Sequence, residues 1–295
     1  MEASDPLSVP PGPGKLRDLG RFLEIQTLGL NVPLALAFVF VAAAGVPRLL
    51  PLALVIVAFV AARNAGHAFN RWTDRQLDAR NPRTASRALP AGRLSPGFAL
   101  GLTALSSAVV LIAAWLLNPL ALLLAPVALA LVLGYSYTKR VSSLSTAFLG
   151  LVQAVTPAAV FVGLDARLPP AVLLAVGGVF AWGTAFETVH SLGDLESDRK
   201  LGLRSLPVRL GPERSVLLVG ALHGAAMACL VLFGILEGLR PTYYLALAAI
   251  GVGFALTDRR LASTVSDVRP TFERHFLFAA LYLAGVAIAV FVPWP

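Results

Sequence analysis

Apolar residues run along this chain in long blocks, separated by short polar stretches rather than alternating with polar positions one by one. Nine such blocks centre on residues 28–46, 49–69, 97–117, 119–136, 144–164, 169–190, 214–236, 241–257 and 275–293. Nearly uncharged runs of about 18 residues or more, coiled as helix, match the thickness of a bilayer core. The pattern predicts an all-α integral membrane protein with nine transmembrane helices. Asn118-Pro119 alone marks the break between the third and fourth blocks, so these two form a tight helical hairpin. Residues 22–295 leave little room for a separate soluble domain and read as one membrane domain. Residues 1–21 carry acids and four prolines ahead of any apolar run, without the basic-then-apolar order of a cleavable leader, and read as a flexible cytoplasmic tail.

Composition sharpens this picture. Charged residues are 14% of the chain and mean hydropathy is +0.76, against about 25% charged residues in soluble globular domains. The single cysteine, Cys229, excludes an internal disulfide and has no metal-ligand spacing around it. A net charge of +8 raises the possibility of nucleic acid, but the distribution of that charge points to membrane topology instead. Loops on one side of the predicted membrane hold 20 Lys and Arg, those on the other hold only Arg48, Arg167 and Arg240, and Arg63 lies inside the second block. The excess marks the cytoplasmic side, which puts the N-terminus in the cytoplasm and the C-terminus outside. No protein partner is implied; the bilayer is.

The acids are few enough for their placement to carry information. Asp74 and Asp78 follow the second block; Glu187, Asp194, Glu196 and Asp198 lie at and past the end of the sixth. Both groups fall at the cytoplasmic face, and ionisable groups at or in a membrane mark function by default. If the second block continues as helix, Asn70, Asp74 and Asp78 line one face, and Asp194 and Asp198 repeat the same spacing. Like charges one turn apart repel, so a counter-charge is expected. Paired hard oxygen ligands suit Mg²⁺, which takes few carboxylates and completes its shell with water and substrate phosphate. The plainer reading, acids paired with arginines in a solvated loop, suits each pair taken singly; two clusters at equivalent ends of two spans weigh against it. Arg80, Arg83, Arg87 and Arg93 follow the first cluster, and Arg199, Lys200, Arg204 and Arg209 the second. The loop between them reads YSYTKR, with Tyr135 and Lys139 four residues apart on one helical face. Such cations either set topology or grip phosphate.

Metal-bearing acid clusters, cations and an apolar bundle suit a diphosphate whose other end is hydrocarbon. The metal neutralises charge on a departing diphosphate, and an apolar pocket shields the resulting allylic cation from water. At this point the chain resembles the UbiA superfamily of intramembrane aromatic prenyltransferases over essentially its whole length. Asn70-Arg71-Trp72-Thr73-Asp74-Arg75-Gln76-Leu77-Asp78 is similar to that family's NDxxDxxxD, Asp194-Leu195-Glu196-Ser197-Asp198 to its DxxxD, and Tyr135-Ser136-Tyr137-Thr138-Lys139 to its YxxxK. The stretch from Arg83, RTASRALPAGRLS, also looks like the family's segment after the first motif. The resemblance implies that Asn70, Asp74 and Asp78 hold one Mg²⁺-diphosphate face and Asp194 and Asp198 the other. It further implies that Lys139 and Tyr135 contact the diphosphate, with help from Arg83 or Arg87. Arg71 departs from the pattern, standing where many members have an acid.

Arg63 has two readings: a cation that snorkels or satisfies backbone carbonyls, or the group that binds an acceptor's carboxylate, which is what the resemblance favours. His67 reads equally as a hydrogen-bonding pocket residue or a structural one; Glu187 and His190 read as shaping the acceptor pocket, with Glu187 a candidate base; His223 and Trp182 read as packing, and Trp294 as an interfacial anchor. The implied reaction is Mg²⁺-dependent transfer of a polyprenyl group from its diphosphate to an aromatic acceptor, 4-hydroxybenzoate or a related menaquinone-pathway acid, in quinone biosynthesis. The implied location is a bacterial plasma membrane with the site facing the cytoplasm. The alternative is an ion-coupled secondary transporter using the same acids, although coupling sites usually lie near the midplane. A CDP-alcohol phosphotransferase needs a DGxxAR start that Asp74-Arg75-Gln76 does not supply. Isoprenoid length and acceptor identity are not written in nine spans of Leu, Val and Ala, and the small-residue face from Gly150 to Ala154 suits packing within one subunit or between two.

Overall fold

The computed structural model describes residues 15–24, 28–81, 84–264 and 267–292, with the side chains of residues 15–17 and of Lys139 outside that description. Every one of the nine apolar blocks is helical, and no strand occurs among the described residues. Twelve helices run in order: α1 (Lys15–Phe22), α2 (Leu28–Ala42), α3 (Leu49–Arg80), α4 (Pro96–Leu117), α5 (Pro119–Val141), α6 (Ser145–Asp165), α7 (Pro170–Gly193), α8 (Leu195–Lys200), α9 (Leu206–Leu210), α10 (Pro212–Leu236), α11 (Pro241–Ser263) and α12 (Arg269–Phe291). Among the described residues, seven helices are long and apolar enough to cross a membrane; α2, at 15 residues, and α11, which carries Asp258, Arg259 and Arg260 in its last two turns, fall outside that set. Part of the stretch read as a flexible tail is α1, whose Phe22 is buried against Phe98 of α4 with ring centroids 6.2 Å apart.

The break between α4 and α5 follows from Asn118. Its side-chain oxygen accepts from the amide of Ala121 at 2.8 Å, capping α5. Its amide donates back to the carbonyls of Val162 at 2.8 Å and Gly163 at 3.2 Å on α6. One side chain thus caps a helix and ties the hairpin to its neighbour, and Pro119 at the first helical position costs no hydrogen bond.

At 32 residues α3 is about 48 Å long, well beyond a hydrocarbon core of about 30 Å. Its surplus carries the Asn70–Asp78 motif out of the apolar layer without a break in the helix. α7 is the centre of the bundle, with 72% of its apolar window buried inside the protein. With it, α2, α10, α11 and α12 bury Phe38, Trp182, Phe233, Tyr243 and Tyr282 in one dense core. On the other side, α3, α4 and α5 share a small cluster around Ala61, Val110, Ala114, Ala125 and Leu129, and a second small cluster joins Ala68 of α3 and Ala99 of α4 to Phe22 and Leu89. The bundle therefore has a closed half and a loosely filled half.

α6 joins the two halves, and its contact with α7 is backbone against backbone. A Cβ added at Gly150 would lie 2.8 Å from the Thr184 amide nitrogen and 3.0 Å from the Phe180 carbonyl oxygen. The small-residue face from Gly150 to Ala154 is thus spent inside the subunit.

Candidate active site

The loosely filled half encloses a cavity of about 1750 Å³. At one end it is lined by Asn70, Asp74 and Asp78 of α3, Asp194 at the α7–α8 break and Asp198 of α8. At the other it is walled by Val55, Val110, Leu117, Ala121 and Gly163. Arg63, Arg87, Tyr135 and Glu187 also line it. All the site residues expected from the sequence that lie among the described residues therefore meet around one space. Arg83 and the Lys139 side chain lie outside the described residues, as does Trp294.

The two acid motifs face each other because two segments are stitched at the cavity mouth. The Asn81 amide, just past the end of α3, donates to Ser197 Oγ on α8 at 3.0 Å. Buried Thr84 donates to the Asp78 carbonyl at 3.0 Å, turning the chain after α3 back across the mouth. On the other side α7 stops at Asp194, and α8 restarts so that the Asp198 amide donates to the Asp194 carbonyl at 2.8 Å. The pair of acids keeps its one-turn spacing across a helix break.

The counter-charges expected for the first pair of acids are present. Arg87 donates to Asp78 Oδ1 at 2.9 Å. Arg140 donates to Asp74 Oδ1 at 2.9 Å and to the Thr73 carbonyl at 2.7 Å, while the Asn70 amide donates to Asp74 Oδ2 at 3.1 Å. The contact of Arg140 with α3 depends on the turn of α5 and is not readable from the sequence alone. Asp78 is 8% exposed, and its Oδ2 is buried with no hydrogen-bond partner among the described residues. A buried carboxylate oxygen without a partner is costly, and it belongs to a residue that lines the cavity together with the second acid motif. Among the described residues no three His, Cys, Asp or Glu side chains converge to form a complete metal shell. That donor set fits Mg²⁺, which takes one or two carboxylates and fills its octahedron with water and substrate phosphate.

A second stripe on α3 finds its partner in a segment far from it in the sequence. Arg63, His67 and Arg71 are also four residues apart, and they face Glu24, just past α1. Arg63 donates to the carbonyls of Leu23 and Glu24, each at 2.6 Å. Arg71 forms an ion pair with the Glu24 carboxylate, and His67 Nδ1 lies 3.8 Å from it. Burial alone would raise the Glu24 carboxyl, but Arg71, followed by His67, overrules it and holds it well below the usual carboxylate range. Arg71, which stands where an acid is common in the similar motif, is committed to this latch. Because the folded state favours the charged form, the latch contributes fully above an unfolded Glu pKa of about 4.3 and is lost only as pH falls below it. Glu24→Ala is expected to lower stability at pH 7 by about 2 kcal/mol, the pair being only partly buried. Thermal unfolding in detergent reads this out, and the difference from wild type should shrink as the pH is lowered through 4.

Two further polar contacts lie deeper. Gln153 of α6 donates to Glu187 Oε1 at 3.0 Å, and His190 Nδ1 lies 4.0 Å from Glu187 Oε2. Gln153 was legible in principle as a lone amide within an apolar span. His223 and Trp182 are buried as expected of packing residues, yet each has a polar partner: His223 Nδ1 is 3.0 Å from Asp258, and Trp182 Nε1 donates to His275 Nδ1 at 3.0 Å.

The comparisons with known proteins agree with this architecture. The UbiA prenyltransferase family profile matches residues 31–279. The chain is 31% identical over 253 residues to the 4-hydroxybenzoate octaprenyltransferase of Shewanella frigidimarina, covering 84% of this chain and 87% of that protein. With the enzyme of the same name from Alkalilimnicola ehrlichii it is 33% identical over 241 residues, covering 81% and 79% respectively. Among solved structures, a UbiA homologue from Aeropyrum pernix superposes with a TM-score of 0.80 at 30% identity, covering 90% of this chain and 98% of that one. A UbiA homologue from Archaeoglobus fulgidus bound to GPP and Mg²⁺ shares the fold with a TM-score of 0.72 at 19% identity, covering 92% and 99%. The transporter alternative finds no support among these relatives. The chain is an integral membrane prenyltransferase and belongs to the UbiA prenyltransferase family.

Proposed function

We propose that the protein transfers a polyprenyl group from an isoprenyl diphosphate to an aromatic acid, 4-hydroxybenzoate or a related menaquinone-pathway acid, as a step of quinone biosynthesis. The observation that carries this reading is the meeting of two acid motifs at the polar end of a cavity whose other end is apolar, with the buried Oδ2 of Asp78 left without a hydrogen-bond partner among the described residues. Mg²⁺ would be held by Asp74 and Asp78, with Asn70, on one side and by Asp194 and Asp198 on the other. Bound there, it supplies Lewis-acid neutralisation of the charge that develops on the departing diphosphate. Arg87 and Arg140 already hold carboxylates of the first motif in fixed orientations; Tyr135, and by resemblance Lys139 and Arg83, complete the diphosphate contacts. The apolar walls take the hydrocarbon and keep water from the allylic cation. Arg63, oriented by the carbonyls of Leu23 and Glu24 and lining the cavity, is the group that binds the acceptor's carboxylate in this reading.

The same reading includes nine crossings, with the N-terminus in the cytoplasm, the C-terminus outside and the acid motifs facing the cytoplasm of a bacterial cell. It rests on the 20-to-3 asymmetry of Lys and Arg between the two sets of loops.

The test is prenyl transfer by the purified protein in detergent, with geranyl diphosphate and 4-hydroxybenzoate, with and without Mg²⁺, and with Asp74→Ala and Asp198→Ala in parallel. Metal-dependent product that disappears in both variants is the expected outcome. Folded wild-type protein that yields neither product nor diphosphate release with hydroxybenzoate and naphthoate acceptors would sink the reading.

A further inference from the structure

The cavity has a second polar layer beneath the acid motifs, and the proposed metal and diphosphate contacts do not use it. Glu187 precedes Asp194 by seven residues on α7, and Arg63 precedes Asn70 by seven on α3, so each lies about 10 Å along its helix from its motif. Both line the same cavity, as do Gln153 and His190. An acid at this depth is costly and calls for a reason.

Holding α6 to α7 is not that reason, because those helices already meet backbone to backbone at Gly150. A neutral amide pair would also bridge them at lower desolvation cost than a carboxylate. The surroundings of Glu187 are instead built to orient it. The Gln153 amide donates to Oε1 at 3.0 Å, and its oxygen occupies space left by Gly183, where an added Cβ would lie 2.9 Å away. With Oε1 so engaged, Oε2 is on the side of His190, 4.0 Å from Nδ1. One carboxylate oxygen is fixed by a neutral donor, and the other has a titratable neighbour through which a proton can leave.

We propose that Glu187 is the catalytic base of the transfer, with His190 as the residue that passes its proton outward; this rests on the aromatic prenyl transfer proposed above. The C1–O bond of the prenyl diphosphate breaks, and diphosphate leaves with the electron pair. A ring carbon beside the acceptor hydroxyl supplies π electrons to form the new bond to C1. The C–H bond at that carbon then breaks, its electrons restore the aromatic ring, and the proton passes to the Glu187 carboxylate and on through His190 to water. The chemical class of acceptor follows: an aromatic acid with a free ring C–H beside an electron-donating hydroxyl.

The experiment compares ring-deuterated with ordinary 4-hydroxybenzoate, using geranyl diphosphate and Mg²⁺, for wild type, Glu187→Gln and Glu187→Asp. Wild type is expected to show an isotope effect near unity, because ionisation is the slower step. In Glu187→Gln turnover should fall about 100-fold, the lower end for general-base catalysis. Its isotope effect should rise clearly above unity, while KM for geranyl diphosphate stays unchanged. Glu187→Asp, which keeps a base on a shorter arm, should recover part of the rate and lower the isotope effect again. A purely structural Glu187 would slow turnover without exposing the C–H step. Glu187→Gln with wild-type turnover, or both variants slowed with the isotope effect still at unity, overturns the inference. Wild type that makes no product overturns the function on which it rests.

Discussion

Chelation of Mg²⁺ is expected to abolish prenyl transfer, and Asp78→Asn to lower kcat/KM by about 1000-fold while the protein stays folded. The asymmetry of the Asp78 carboxylate sets this expectation. Oδ1 is held by Arg87 at 2.9 Å, and that contact survives with an asparagine oxygen in its place. The bare, buried Oδ2 would become an amide NH₂, a donor where a cation needs an acceptor. The substitution therefore spares the fold and removes the ligand. Loss of one preorganised electrostatic contact to a developing charge costs about 10²–10³ in rate, and loss of the metal itself costs more. Asp198→Asn, on the facing motif, should behave alike. Asp165→Asn is the control: Asp165 pairs with Arg167 in a loop at the far end of the bundle and is exposed. Rates are read in detergent with Mg²⁺ varied. A Asp78→Asn protein whose rate and metal requirement match wild type would remove Asp78 from the site.

The positions of the spans were legible because membrane helices declare themselves by uninterrupted apolar length, with no long-range information needed. The continuation of α3 through the acid motif was legible for a related reason, since nothing between Leu49 and Arg80 breaks a helix beyond the tolerated Pro51 in its first turn. What escaped the sequence depends on meetings between distant segments. Asn81 and Ser197 are 116 residues apart and individually unremarkable polar residues. Glu24 drew no reading from the sequence because its partners, Arg71 and His67, lie more than 40 residues away on α3. Arg71 looked like a lost metal ligand for the same reason: its neighbour at Asn70 faces the metal stripe, but one residue on is about 100° around the helix and a different environment. Glu187 stood out in the sequence and Gln153 did not, and only the fold brings them together at 3.0 Å.

Gly150→Ala, a change of one methyl group, is expected to destabilise the protein by about 3 kcal/mol, at the upper end of overpacking costs. The new Cβ would meet three atoms of α7. One, Thr184 Oγ1 at 2.2 Å, belongs to a side chain that can rotate away; the others, the Thr184 amide nitrogen at 2.8 Å and the Phe180 carbonyl oxygen at 3.0 Å, are backbone of the most buried helix in the bundle. Because α7 is packed on its other side against α10, relief has to come from α6. Moving α6 outward also stretches the Gln153–Glu187 contact, so activity should fall along with stability even though Gly150 itself touches no substrate. The informative control is Gly224→Ala on α10, where an added Cβ meets nothing within 4 Å. There the same methyl removes only the conformational freedom of glycine and should stabilise by about 0.5–1 kcal/mol. Thermal unfolding of the two variants in one detergent should therefore shift in opposite directions. Equal, small shifts would mean that α6 and α7 do not meet backbone to backbone, and the orientation of Glu187 by Gln153 would lose its structural basis.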